Sequence, residues 1–154
     1  MVSTAGDLIK QHSLSACIRC GKCDSVCPSG RNGGIHPDSV VFTILDADPL
    51  SSLSELQTDV WKCLMCHRCA SVCPENIDIT GAIRSLRYDS VSSGEPPRRF
   101  KMASDTLTEH GRAFPVNDIV NQRRAELGLK AIEEDERSLN ELKIIISRTG
   151  FRNE

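Results

Sequence analysis

All eight cysteines of this 154-residue chain fall in two short runs, CIRCGKCDSVCP from Cys17 and CLMCHRCASVCP from Cys63, which start 46 residues apart. Thiols gathered in this way can close disulfides, attack a substrate or hold a metal. Within each run the cysteines stand at i, i+3, i+6 and i+10, the last followed by proline, and none is left over for another task. The first ten residues carry no basic stretch followed by an apolar one, so no secretion signal is expected. No segment approaches the roughly 20 consecutive apolar residues of a membrane span. The chain is therefore expected to be soluble and cytoplasmic, where thiols are kept reduced and ordered cysteines serve as metal ligands.

Spacing then selects the metal. A structural zinc ion takes four ligands, usually as two separated pairs. Three cysteines in seven residues followed by a fourth before proline instead read C-x2-C-x2-C-x3-C-P, the pattern of bacterial ferredoxins. Three thiolates on a curling loop can hold three corners of an iron-sulfur cube while backbone N–H groups of that loop face its sulfides. In two-cluster ferredoxins the fourth cysteine of each run ligates the cluster of the other. Two [4Fe-4S] clusters are expected on this pattern, one on Cys17, Cys20, Cys23 and Cys73, the other on Cys63, Cys66, Cys69 and Cys27. The motif is doubled because each half completes its partner. Pro28 and Pro74 suit the turn away, since the residue before proline is steered out of the helical region. Two zinc sites in a structural adaptor form the alternative.

The 35-residue spacer, 28–62, shows which elements hold the runs. Val40, Val41, Ile44 and Leu45 recur at helical spacing, with Pro37 in the first turn and Asp38 or Ser39 as cap, although VVFTI alone would suit a strand. Leu53, Leu56, Val60 and Leu64 are expected to share one face of a helix that runs into the second cysteine loop. After Pro74, Ile79, Ile83 and Leu86 follow at i, i+4 and i+7, with Asp78 placed to cap. The fold is thus expected to be mostly α, with both cysteine loops set between helices. GRNGG, from Gly30, lacks the order of a nucleotide-binding glycine loop and reads as a flexible turn.

This arrangement resembles the α-helical ferredoxin module of respiratory iron-sulfur subunits. Over residues 12–151 the chain is similar to one family in particular, the iron-sulfur C subunits of the soluble heterodisulfide reductase of methanogens and related anaerobes. CIRCGKCDSVCP, WKCLMCHRCASVCPENIDITGAIRSLR, HGRAFPVNDIVNQRRAELGL and IIISRTGF carry the similarity. The resemblance implies an electron-transfer subunit with no catalytic residue of its own. Electrons would enter from the A subunit, which contains flavin and iron-sulfur clusters, and leave to the catalytic B subunit, which reduces the CoM-S-S-CoB heterodisulfide in methanogenic metabolism. A larger complex with hydrogenase or formate dehydrogenase would supply them. The competing class is the iron-sulfur subunit of another dehydrogenase, of succinate or glycerol-phosphate type, but those fuse the helical module to further cysteine-bearing domains.

Residues 1–92 are assigned to the cluster-binding domain and 93–154 to a helical C-terminal extension that packs on the core, on partner subunits, or on both. SSGEPPRR marks the linker. Beyond it Phe100, Ala103 and Leu107 share a helix side that stops at Gly111, FPVND turns the chain into a helix ending near Gly128, and Leu139, Leu142, Ile145 and Ile146 form a stripe ending at Gly150. EEDE, Glu133 to Glu136, reads as a solvated helix start. With so few apolar side chains these 62 residues must lean on something.

Aromatic residues make up only 4% of the chain, so the core must be aliphatic and thin. The net charge of −2 and pI near 6.1 give no attraction to nucleic acid or an anionic membrane. His67 stands where the first run has Gly21 and could donate to a cluster sulfur and raise its potential. Arg19, Lys22, Lys62 and Arg68 set positive charge beside the runs, with Lys22 and Arg68 placed for tuning. Trp61 is read as a core residue.

Overall fold

A computed structural model describes residues 2–94 and 96–149. The residues divide into two compact units, Met1–Pro96 and Pro97–Glu154. Helix dominates both, and among the described residues the only β pairing is an isolated bridge between Thr4 and Ser52.

The first unit opens with α1 (Ala5–Gln11), which the apolar periodicity had not announced because seven residues carry too little pattern. A reciprocal cap starts it. The Thr4 hydroxyl accepts the Asp7 N–H at 3.2 Å, and the Asp7 carboxylate accepts the Thr4 N–H at 3.0 Å. The bond from the Thr4 side chain, with help from its N–H, holds the Asp7 carboxyl below its usual range. After a 3-10 turn, Leu14–Ala16, the first cysteine loop leads into two one-turn helices, α2 (Lys22–Ser25) and α3 (Pro28–Arg31). GRNGG is thus not a free turn: Gly30 and Arg31 complete α3, and only Gly33 takes a left-handed φ, +70°, beyond it.

Next comes α4 (Pro37–Asp46), confirming the helix over the strand for VVFTI. Its cap differs from the expectation. Pro37 occupies the first helical position, which makes His36 the capping residue, and the Asp38 carboxylate merely accepts the N–H of Ser39. The second spacer segment is also shorter than expected. Leu53 lies outside α5 (Leu56–Asp59), a 3-10 turn over Val60–Lys62 follows, and the chain then extends at Cys63. Leu53, Leu56 and Val60 are buried, but the turn at Cys63 throws Leu64 outward to 66% exposure. The second cysteine loop feeds α6 (Arg68–Ser71), and the unit closes with α7 (Ile79–Ser92), where Asp78 caps by accepting the N–H of Gly81 at 2.9 Å.

Leu8, Leu14, Val40, Val41, Ile44, Val60, Ile83 and Leu86 make a fully buried aliphatic core, with Phe42 and Trp61 only at its edge. Truncating one such leucine to alanine costs about 2–5 kcal/mol through lost burial and the cavity left behind. Trp61 also meets polar partners, its indole N–H donating to Ser90 Oγ at 3.2 Å.

The second unit contains α8 (Arg98–His110), α9 (Asp118–Glu126) and α10 (Glu136–Thr149). Gly111 ends α8 in the left-handed region, φ +69°, close to Leu139 and Leu142 of α10. Leu139, Leu142 and Ile146 are half-covered, whereas Ile145 is 56% exposed and does not share their stripe. Gly150, the expected stop, lies outside the described residues, as does Glu95 of the linker. EEDE does more than meet solvent. Glu134 accepts from His110 at 2.7 Å, the Glu133 carbonyl accepts from Arg112, and Asp135 takes the Arg137 N–H at the start of α10. No described residue of this unit is fully buried, so such polar ties hold its segments.

Candidate metal centre

The two cysteine loops follow the same backbone plan. Each begins after a 3-10 turn, and each takes positive φ at two positions, Arg19 (54°) and Gly21 (70°) in the first loop, Met65 (51°) and His67 (60°) in the second. Alternating left-handed residues turn successive N–H groups to one side and make an anion-receiving concavity. Three of the four are not glycine. Such residues cost about 1–3 kcal/mol each and persist only where the surroundings impose them. Met65 shows the effect, its N–H pointing at Cys63 Sγ at 3.4 Å.

All eight cysteines are free thiols. The structure brings Cys17, Cys20, Cys23 and Cys73 together around one cavity, and Cys27, Cys63, Cys66 and Cys69 around a second. Each cavity therefore borrows its fourth sulfur from the other run. Cys27 is held from several sides. It caps α3, its sulfur receiving the Gly30 N–H at 3.4 Å, and it lies 3.6 Å from the Ile35 carbonyl. Burial pushes the Cys23 and Cys69 thiols up to about 11, so an incoming cation must displace their protons. Much of the lining is apolar, Val41, Phe42, Ile77 and Ile79 in the first cavity and Ile35 and Ile83 in the second, while Cys20 and Cys66 stand on the exposed rims. Four soft thiol donors converging with backbone N–H groups in an apolar pocket fit an iron-sulfur cube.

The flanking residues divide. Arg19 donates to Asp46 at 2.8 Å and lies over the Phe42 ring, and Lys62 reaches Asp59 at 2.6 Å, so both charges are already answered. Lys22 and Arg68 stand at equivalent places, each the first residue of the short helix after its loop and each in a cavity wall. His67 also lines the second cavity, its Nδ1 3.1 Å from the hydroxyl of Thr80. Thr80 in turn donates to Asp78 at 3.3 Å. Burial alone would raise the Asp78 carboxyl, but the Gly81 N–H and His12 outweigh it and hold the group below its usual range.

Three contributors were not legible in the motif. Ser29, buried beside Cys27, donates to the Lys62 carbonyl. Thr80 orients His67. Arg87 donates through Nε and Nη2 to the Val60 carbonyl at 3.1 and 2.9 Å, reaches the Cys63 carbonyl as well, and stacks 5.0 Å from the Trp61 ring. Burial pulls its pKa down, with Cys63 acting against that. Only its place two turns along from Thr80, on the helix that packs behind the second loop, could have pointed to it.

Comparison with known proteins agrees with this chemistry. A 4Fe-4S dicluster domain model matches residues 13–77, which contain every cysteine. The chain is 32% identical over 142 residues to the C subunit of the ferredoxin/F420H2-dependent CoB-CoM heterodisulfide reductase of Methanosarcina acetivorans, covering 90% of this chain and 86% of that protein. It is 30% identical over 151 residues to the iron-sulfur C 2 subunit of the CoB-CoM heterodisulfide reductase of Methanocaldococcus jannaschii, covering 94% and 77%. With the C2 subunit of the H2/formate:CoB-CoM heterodisulfide,ferredoxin reductase of Methanococcus maripaludis it shares 28% identity over 124 residues, covering 76% and 62%. No helix among the described residues is long and apolar enough to cross a membrane.

Proposed function

The chain belongs to the family of CoB-CoM heterodisulfide reductase C subunits, an iron-sulfur electron-transfer family, and on that premise we propose that it is the one-electron relay of a cytoplasmic heterodisulfide reductase complex. It takes electrons from a flavin-containing partner and passes them to the one that reduces the CoM-S-S-CoB disulfide. The carrying observation is the pair of crossed cysteine sets, each closing around its own cavity. Cys17, Cys20, Cys23 and Cys73 hold one [4Fe-4S] cluster in this reading, and Cys63, Cys66, Cys69 and Cys27 the other. When bound, such clusters exchange single electrons with little rearrangement.

The protein's own part is to hold and insulate. The left-handed positions aim N–H groups into the loops, and the apolar walls lower the local dielectric, so that charge added inside is felt strongly by nearby side chains. No thiol remains to receive a substrate sulfur, because all eight are committed as ligands. Cleaving a disulfide takes two electrons and a site that holds the half-reduced state. The chain alone therefore has no catalytic site. The relatives' names carry different donors, F420H2 in one and hydrogen or formate in another, which supports a relay that serves several donors through a common partner. The C-terminal unit docks that partner in this reading.

The test follows heterodisulfide consumption by the cluster-loaded, pre-reduced chain. No turnover is expected alone, turnover is expected on adding the disulfide-reducing partner, and removing the residues beyond Ser92 is expected to weaken that coupling. Steady turnover without a partner would show a catalytic site in this chain.

A further inference from the structure

The two cavities share a backbone plan but not a charge environment. Lys22 and Arg68 match across the repeat and cancel in any comparison. The rest does not cancel. Asp38 and Glu75 stand in the wall of the Cys17 cavity, where Arg19 is already bound to Asp46. The wall of the Cys63 cavity contains no carboxylate among the described residues, and Asp78, behind Thr80, is already bound by the Gly81 N–H and His12. Behind that wall lies Arg87, part-buried, its guanidinium on the carbonyls of Val60 and Cys63. An arginine keeps its charge throughout the range in which the fold survives.

An electron added to either site makes it more negative, so a cation nearby favours the reduced state and a carboxylate disfavours it. Asp38 and Arg87 are part-buried and weakly screened, whereas the exposed Glu75 counts for less. We infer that the Cys63 site has the higher reduction potential of the two, that Arg87 is the residue that sets it there, and that an electron entering the chain comes to rest at that site. His67 acts in the same sense, placing a ring braced by Thr80 where the first loop has only Gly21. The inference rests on the two-cluster reading of the proposed function. The step is a single electron: the Cys17 site is oxidised by one, the Cys63 site is reduced by one, and no bond or proton changes hands. A one-electron donor then belongs on the Cys17 side and the acceptor on the Cys63 side.

Redox titration of the full-length, anaerobically purified chain, followed by electron paramagnetic resonance, reads both midpoint potentials. Arg87→Gln is expected to lower the higher potential alone, and Arg87→Lys, which keeps the charge, to restore most of it. Asp38→Asn is expected to raise the lower potential alone. Because Arg87 also braces the loop, the Asp38 variant decides the matter should Arg87→Gln not assemble. A shift of the lower potential in Arg87→Gln, a shift of the higher one in Asp38→Asn, or no shift in either overturns the assignment. Wild-type protein that carries stoichiometric zinc in place of iron overturns the proposed function, and this inference with it.

Discussion

The hydroxyl of Ser29 donates to the carbonyl oxygen of Lys62 at 2.8 Å, tying the turn after the first cysteine run to the residue before the second. The Ser29 hydroxyl oxygen also accepts the N–H of Ile35 at 3.1 Å. One small side chain thus holds three segments around the cavity that Cys27 shares with Cys63.

Ser29→Ala is expected to destabilise the chain by about 1–3 kcal/mol, because it strands the buried Ile35 N–H and leaves the part-buried Lys62 carbonyl without its donor. Denaturant unfolding should show a lower midpoint with an unchanged slope. An unchanged midpoint would mean that water replaces the hydroxyl.

Gly81→Ala sets two effects against each other. Alanine is the better helix former by about 1 kcal/mol. Its Cβ, however, would lie 1.9 Å from Asp78 Oδ2 and 2.7 Å from His12 Nδ1, which forces the capping carboxylate away. A cap is worth about 1 kcal/mol and a displaced histidine contact adds to it, so net destabilisation is expected. In the native chain the depressed Asp78 carboxyl contributes stability that is present above its unfolded value of 3.8 and is lost as pH falls through the lower folded one. The variant should show a flatter loss over that acid range in the same unfolding assay.

Anaerobically purified protein should contain about eight irons and about eight acid-labile sulfides per chain, from two four-iron clusters. Elemental analysis with stoichiometric zinc and little iron would favour the structural adaptor instead.

Cys27→Ser should chiefly perturb the cluster on Cys63, Cys66 and Cys69, although Cys27 lies in the other run. Serine can still cap α3, which separates ligand loss from loss of the turn. Spectra that resolve the two clusters decide it, and damage limited to the Cys17 cluster would count against the exchange.

Much of this was legible in the chain because the informative features repeat locally. The helical spacing of Val40, Val41 and Ile44 and of Ile79, Ile83 and Leu86 marks the buried faces of α4 and α7, and Asp78 caps where a cap was due. Local pattern fails where one residue overrides it. Pro37 moved the cap of α4 back to His36, and the extended turn at Cys63 ejected Leu64 from its stripe. Left-handed backbone is signalled in a sequence only by glycine, so the positive φ of Arg19, Met65 and His67 had no local signal. Ser29, Thr80 and Arg87 act on partners 13 to 33 residues away, a distance at which no spacing rule operates.

The exchange of sulfurs between the runs has the logic of a two-fold axis. What Cys27 offers the second cavity, Cys73 offers the first, and α2 touches α6 between them, as equivalent patches do across an isologous dimer. Neither run closes a cavity with its own four sulfurs, and the single chain keeps the two runs together. Joining frees the halves to diverge, since identical protomers must carry identical residues at both sites. Gly21 opposite His67, and Asp24 opposite Ala70, are departures that two identical protomers could not hold, and they make the two sites unlike.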